Sequence, residues 1–203
     1  LNITPHSELD ISALIHWLRD SDVPLMNEQQ ALWFNTSLRL YADDYNLALK
    51  VALADNTLEF VAPQHQVIIH GLNIPMSKTP FYYYLWYAIL RKQQTNDGWF
   101  INPAVNNPNQ RAAKSLIALM TEFEGHPKSI NDLHNNGLRA KTLDLNRNKI
   151  KDELSASLGE QLAKDFLFEM QRDMQQQRFK YRINLAPQHI VLPVDIEKSL
   201  QAV

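Results

Sequence analysis

The chain has 203 residues, of which 45% are apolar, a formal charge of −2 and no cysteine. That is enough apolar material for one large core or two small ones, and the near-neutral charge excludes the global basicity of a non-specific nucleic-acid binder. Without cysteine there are no disulfides, thiolate nucleophiles or cysteine-based zinc sites, a composition that suits the reducing cytoplasm.

The charge is uneven. Residues 1–107 carry 6 Lys/Arg against 10 Asp/Glu, and residues 108–203 carry 14 against 12, so the second half permits an anionic partner without demanding one. The longest apolar run, Phe81 to Leu90, has 10 residues and is too short to span a bilayer. No signal peptide opens the chain, and a start at Leu1 leaves room for an upstream domain.

Helical spacing runs from Glu8 to Val51. Leu9, Ala13, Ile15, Trp17 and Leu18 mark a first helix begun at Ser7 and Glu8, and Pro24 interrupts. A second helix is predicted over 28–42, with Leu32, Trp33, Leu38 and Leu40 as anchors. Asp43-Asp44 marks a turn or cap before Leu47 to Leu53. Residues 1–56 thus read as an acidic helical arm suited to a protein partner or to self-association.

Thr57 to Val61, Gln66 to His70 and Asn73 to Met76 read as a short antiparallel meander, broken by Pro63 and Gly71. Thr79-Pro80 starts a helix through Lys92 that is apolar nearly all round, hence buried. Its aromatics (Phe81, Tyr82, Tyr83, Tyr84, Trp86, Tyr87) fit a core better than a base-stacking platform. Residues 93–109 read as a long connection anchored by Trp99-Phe100. A helix follows over 110–124, stopped by Gly125, and then a short one from Ser129 to His134, closed by Gly137.

Leu143, Ile150, Leu154 and Leu158 form a buried stripe on the next helix. Arg147, Asn148 and Lys151, with Lys141 upstream, are assigned to the opposite, solvent face. Arginine and asparagine there suit the edges of guanine and adenine, although a solvated helix face is the plain alternative. Phe166 to Met170 reads as a strand. Phe179, Tyr181, Ile183 and Leu185 then alternate with Lys180, Arg182 and Asn184, so the apolar set faces the core while Lys180 and Arg182, with Arg178 ahead of them, face out. Such a cationic ribbon can track phosphates, or it can be an ordinary soluble hairpin.

The order of strand, Gly71-x-x-Ile74-Pro75-Met76-Ser77-x-Thr79-Pro80-Phe81, apolar helix, positioning helix, recognition helix and wing over residues 66–192 resembles the winged-helix output domains of bacterial response regulators. LNRNKIKDELSASLGEQLAKDFLF and FKYRINLAPQHIVL are also similar to the C-terminal region of a CRISPR-associated ring-nuclease-type family. In that family a nucleotide-sensing domain precedes a winged-helix-like segment. The domain is missing from this chain, so the resemblance carries over no catalytic or ligand-binding residue.

Other chemistry is thinly represented. His65 and His70 point to opposite faces of a strand, and His126 and His134 have no carboxylate at ligand spacing, so no metal site is expected. Five glycines and the lack of GxxxxGK[ST], GxGxxG or GxSxG leave little for a phosphate-cradling loop or a nucleophile elbow. The expectation is an α+β protein: a helical segment 1–56, a short meander, and a winged helix-turn-helix over 57–203 with an inserted connection at 93–109. The reading leans away from an enzyme and from any cofactor. It favours duplex nucleic-acid binding through Lys141, Arg147, Asn148, Lys151, Arg178, Lys180 and Arg182 in a bacterial regulatory or defence system. A protein-assembly module, or part of a nucleotide-responsive CRISPR-linked protein, remains open.

Overall fold

The computed structural model describes residues 11–21, 23–40 and 44–201, and its contacts divide the chain between Asp55 and Asn56. The first unit is helical: α1 (Ile11–Asp20), α2 (Glu28–Leu40) and α3 (Tyr45–Leu53). A reciprocal pair starts α2, with Asn27 N donating to Gln30 Oε1 (3.0 Å) and Gln30 N to Asn27 Oδ1 (2.8 Å), which satisfies two amides that the helix leaves open. Asp44 caps α3 by accepting from Leu47 N, so this aspartate is a cap; Asp43 and the expected start at Ser7 and Glu8 lie outside the described residues. Trp33, Phe34 and Leu38 are buried, whereas Leu40, expected as an anchor, is exposed, as are Ile15 and Leu18. Trp17 stacks on Phe34 and Tyr45 at 5.8 and 5.3 Å.

The second unit is α+β, with two small sheets. In the first, β1 (Leu58–Val61), β2 (Gln66–Ile69) and β3 (Leu72–Pro75) form the expected meander. β7 (Ile190–Val191) joins β1 in parallel, giving the order β3-β2-β1-β7. Leu58, Phe60, Val67, Ile69, Leu72 and Ile74 turn one face to the core. His70 and Gly71 (φ 52° and 76°) form the two-residue turn between β2 and β3, so His70 ends up outside the strand assigned to it. Positive φ at both turn residues suits the right-handed twist of the paired strands.

Against this sheet runs α4 (Lys78–Gln93), buried without a break from Pro80 to Ala88. Its cap is Ser77, two residues before the expected Thr79, and Pro80 falls in the first turn, where an amide has no intrahelical partner in any case. Burying so many hydroxylated rings requires partners. Tyr82 Oη donates to the Phe123 carbonyl, Tyr84 Oη to the Phe166 carbonyl, and Trp86 Nε1 to Ser115 Oγ at 3.0 Å. The aromatic run is therefore core.

The stretch 93–109 holds more than a connection. β4 (Phe100–Ile101) pairs with β6 (Arg178–Ile183), which also pairs with β5 (Phe168–Asp173), in the order β4-β6-β5. Then α5 (Gln110–Glu122) begins at Asn109, whose side chain accepts from Ala112 N (2.9 Å). α6 (Pro127–Asn136) begins at His126, whose Nδ1 accepts from Lys128 N (3.2 Å), not at Ser129 as expected.

Gly137 and its two successors turn the chain into α7 (Ala140–Leu158). At Gly137 φ is 66° and a Cβ would stand 2.7 Å from Gln110 Nε2, so both conformation and space favour glycine. α8 (Glu160–Ala163) and a turn of 3₁₀ helix precede β5, which therefore starts later than the expected Phe166. α9 (Val194–Gln201) ends the described chain. Among the described residues no helix is long and apolar enough to cross a membrane.

Candidate nucleic-acid interface

The site is built on α7. Leu143, Ile150, Leu154 and Leu158 are buried as the stripe requires. Arg147 is buried with them, only 6% exposed, which corrects its assignment to the solvent face. The cause is helical geometry: position 147 follows 143 by four and precedes 150 by three, so it lies on the stripe itself.

A buried arginine needs partners for its charge and its donors. Its Nη1 donates to Tyr87 Oη, and its Nη2 to Asn102 Oδ1 (3.2 Å) and to the Asp144 carboxylate. The guanidinium also sits 3.6 Å from the Tyr181 ring centroid. Burial pushes the Tyr87 phenol up to about 12 although Arg147 pulls it down, so the ring stays neutral near pH 7 and Asp144 serves as the counter-charge. Arg147 fastens α7 to α4 and β6 and is not available to a base edge.

The hairpin cations are also engaged. Arg182 Nε donates to Glu169 and its Nη1 to Asp97, while the guanidinium lies 4.5 Å from the Trp99 centroid. Lys180 Nζ stands 4.8 Å from the same ring, and Arg178 Nη1 donates to the Asn102 carbonyl at 2.8 Å. Their face of the ribbon therefore packs on the 95–102 segment, part of the expected connection anchored by Trp99-Phe100. The opposite face does not bury all of its apolar set. Ile183 is fully buried, Tyr181 is half-buried, and Phe179 is 47% exposed, so burial falls from the base of the ribbon towards its tip.

Three of the seven expected residues, Lys141, Asn148 and Lys151, are exposed on α7. Lys149, outside the seven, is exposed there too. None of these lysines has an ion-pair partner among the described residues. Lys164, in the turn beyond α8, and Arg172 on β5 are likewise exposed and without an acid partner. The acids on this side are Asp144, already held by Arg147, the exposed Asp152 and Glu160, and the half-buried Glu153, whose carboxylate accepts from Ser77 N. The local balance is thus a modest cationic surplus.

Asp97 joins the ends of this arrangement. Its carboxylate accepts from Arg91 Nη1 (2.9 Å) and from Arg182, and its carbonyl accepts from both as well (2.8 and 3.1 Å). Desolvation works to raise its pKa, but the hydrogen bonds and charges of Arg182 and Arg91 outweigh it and hold the carboxyl below its ordinary 3.8. A carboxyl depressed on folding adds stability above its unfolded value, and that stability is lost as pH falls through the folded value. The urea midpoint of the wild type should therefore drop more steeply below about pH 4 than that of Asp97→Asn. Parallel pH profiles for the two would show that the arginines do not hold Asp97.

Among the described residues no group of three or more His, Asp or Glu stands together to hold a metal ion. His65 instead meets Tyr82 Oη at 3.0 Å, and His70 meets Asn56 Oδ1 at 3.2 Å. The fold and this face define an α+β protein with a lysine-bearing helix beside a β-ribbon. Comparison with protein-family models, with curated proteins and with solved structures finds no match to the chain.

Proposed function

We propose that residues 56–203 are a winged-helix module that binds duplex nucleic acid, with α6 and α7 as the helix-turn-helix and β5–β6 as the wing. The order helix, short strand, helices and hairpin, with β4 paired to β6, supports that reading of the fold. One observation carries the function: Lys141, Lys149 and Lys151 are all exposed on α7, spread across its solvent arc and without acid partners among the described residues, while the neighbouring Asp144 is neutralised from beneath by Arg147. Asn148, between them, is the one exposed side chain of the original set suited to an adenine edge. The lysines make phosphate contacts, which position the protein without reading sequence.

The test is a fluorescence-anisotropy titration of a labelled 20-base-pair duplex with the full chain and with the Lys141→Ala/Lys149→Ala/Lys151→Ala variant. Three lost phosphate contacts should weaken binding about 100-fold near 0.1 M salt. Equal affinity, with unchanged thermal unfolding, would remove these lysines from the interface.

A protein partner is the second reading. On the hairpin Met170, Met174 and Phe179 are 55%, 75% and 47% exposed, and Leu145 on α7 is 55% exposed. Scattered apolar exposure is common, but several large side chains on one ribbon suit a docking surface. Duplex-independent self-association or capture of a defined protein, lost on Met174→Glu/Phe179→Glu, would favour it.

A further inference from the structure

Between α7, the α8 turn and the hairpin lies an open cavity of about 440 Å³, within the size range of sites for small organic ligands. Three features of its lining point to one ligand chemistry. First, Lys151 and Lys164 supply two cations against the single carboxylate of Glu160, because Asp144, also at the rim, is spent on Arg147. Second, Phe168 and Tyr181 supply aromatic surface, and the Arg147 guanidinium already lies on the Tyr181 ring. Third, Ser155 lines the cavity, and its Oγ, turned away from solvent, has no hydrogen-bond partner among the described residues, so rotating it into the cavity breaks no bond. A buried hydroxyl left open in this way is uncommon and is suited to a polar ligand atom.

We propose that this cavity binds a nucleoside monophosphate group. The phosphate is held by Lys151 and Lys164, the base lies against Tyr181 and Phe168, and the Ser155 hydroxyl, once rotated into the cavity, donates to a phosphate or ribose oxygen. Among the described residues neither cation has an ion-pair partner, so the site can accept the anion without breaking an internal pair. The group arrives either as a free mononucleotide or as an unpaired nucleotide at the end or flaw of a duplex. The second route rests on the nucleic-acid reading above and would place one extruded nucleotide beside the phosphate-contacting face of α7. Bases outside a stack are commonly bound by stacking on aromatic side chains.

The test uses the full chain in two arms. In the first, AMP, CMP, GMP and UMP, with adenosine and inorganic phosphate as comparisons, are titrated by isothermal calorimetry into wild type, Lys151→Ala/Lys164→Ala and Ser155→Ala. Saturable binding of the monophosphates is expected, tighter than either half alone. It should be weakened at least about tenfold by the double lysine variant and several-fold by Ser155→Ala. Both lysines are exposed, so the fold should be retained, with an unchanged unfolding midpoint as the control.

In the second arm, blunt duplexes are compared with duplexes bearing one unpaired terminal nucleotide. A preference for the overhang that disappears in the double lysine variant supports the strand-borne form. Binding of monophosphates without any duplex binding keeps the cavity assignment, as a free-nucleotide site, and sinks the duplex proposal. Duplex binding without overhang preference and without monophosphate binding overturns the cavity assignment and leaves the duplex proposal standing. Inorganic phosphate binding as tightly as AMP would also overturn it, because the aromatic wall would then contribute nothing.

Discussion

Arg147→Ala is expected to destabilise the second unit by about 3–5 kcal/mol, the cost of breaking a buried charge network by removing one member. The substitution leaves Tyr87 Oη and Asn102 Oδ1 without their donor and Asp144 without its counter-charge, and it uncovers the Tyr181 ring. For a unit of about 150 residues that loss corresponds to a fall in Tm of roughly 10 °C. Arg147→Lys should recover only part of it, since one ammonium cannot meet partners on three sides or stack as a planar guanidinium does. Urea denaturation followed by tryptophan fluorescence measures the effect. A change within about 0.5 kcal/mol, ordinary for a surface substitution, would mean that Arg147 is solvent-facing after all.

Arg91→Ala should cost about 2–4 kcal/mol, for a related reason at the other end of the same sheet. Arg91 is 6% exposed, with Nε donating to the Leu185 carbonyl (3.1 Å) and Nη1 to the Asp97 carbonyl and carboxylate (2.8 and 2.9 Å). It ties the last turn of α4 to the chain leaving β6 and to the loop that precedes β4. Because Arg182 also holds Asp97, the losses from Arg91→Ala and Arg182→Ala should not add. Stability losses in the double variant equal to the sum of the singles would show that the two arginines act independently.

The legibility of this chain divides along a physical line. Local patterns were readable: the meander 58–75, the buried aromatic helix, the stripe 143–158 and the β-ribbon all follow from period and turn residues. Pairings between distant short segments were not. β4 and β7 are two residues each and become strands only by pairing with β6 and β1, so by pattern alone 93–109 reads as a connection and 190–191 carries no strand signal.

Arg147 is a different kind of miss. Its position on the stripe was present in the spacing 143, 147, 150, 154, but its charge argued for solvent. The partners that make burial tolerable, Tyr87 and Asn102, stand 60 and 45 residues away. Strand alternation likewise separated the two faces of the ribbon without indicating where coverage ends. Ile183, at its base, is buried, while Phe179, on the same face nearer the tip, is exposed. On the other face, Trp99 takes Lys180 and Arg182 out of the solvent role that alternation assigned them.

The proposed division of labour on α7, with Arg147 structural and the exposed lysines contacting phosphate, is tested most directly by the salt dependence of duplex binding. With Lys141, Lys149 and Lys151 each displacing a counterion, the wild type should give a slope of log K against log salt of about −3, and the triple alanine variant a slope close to zero. The same slope in both proteins, or no saturable binding by the wild type at about 50 mM salt, would contradict the assignment of this face to nucleic acid.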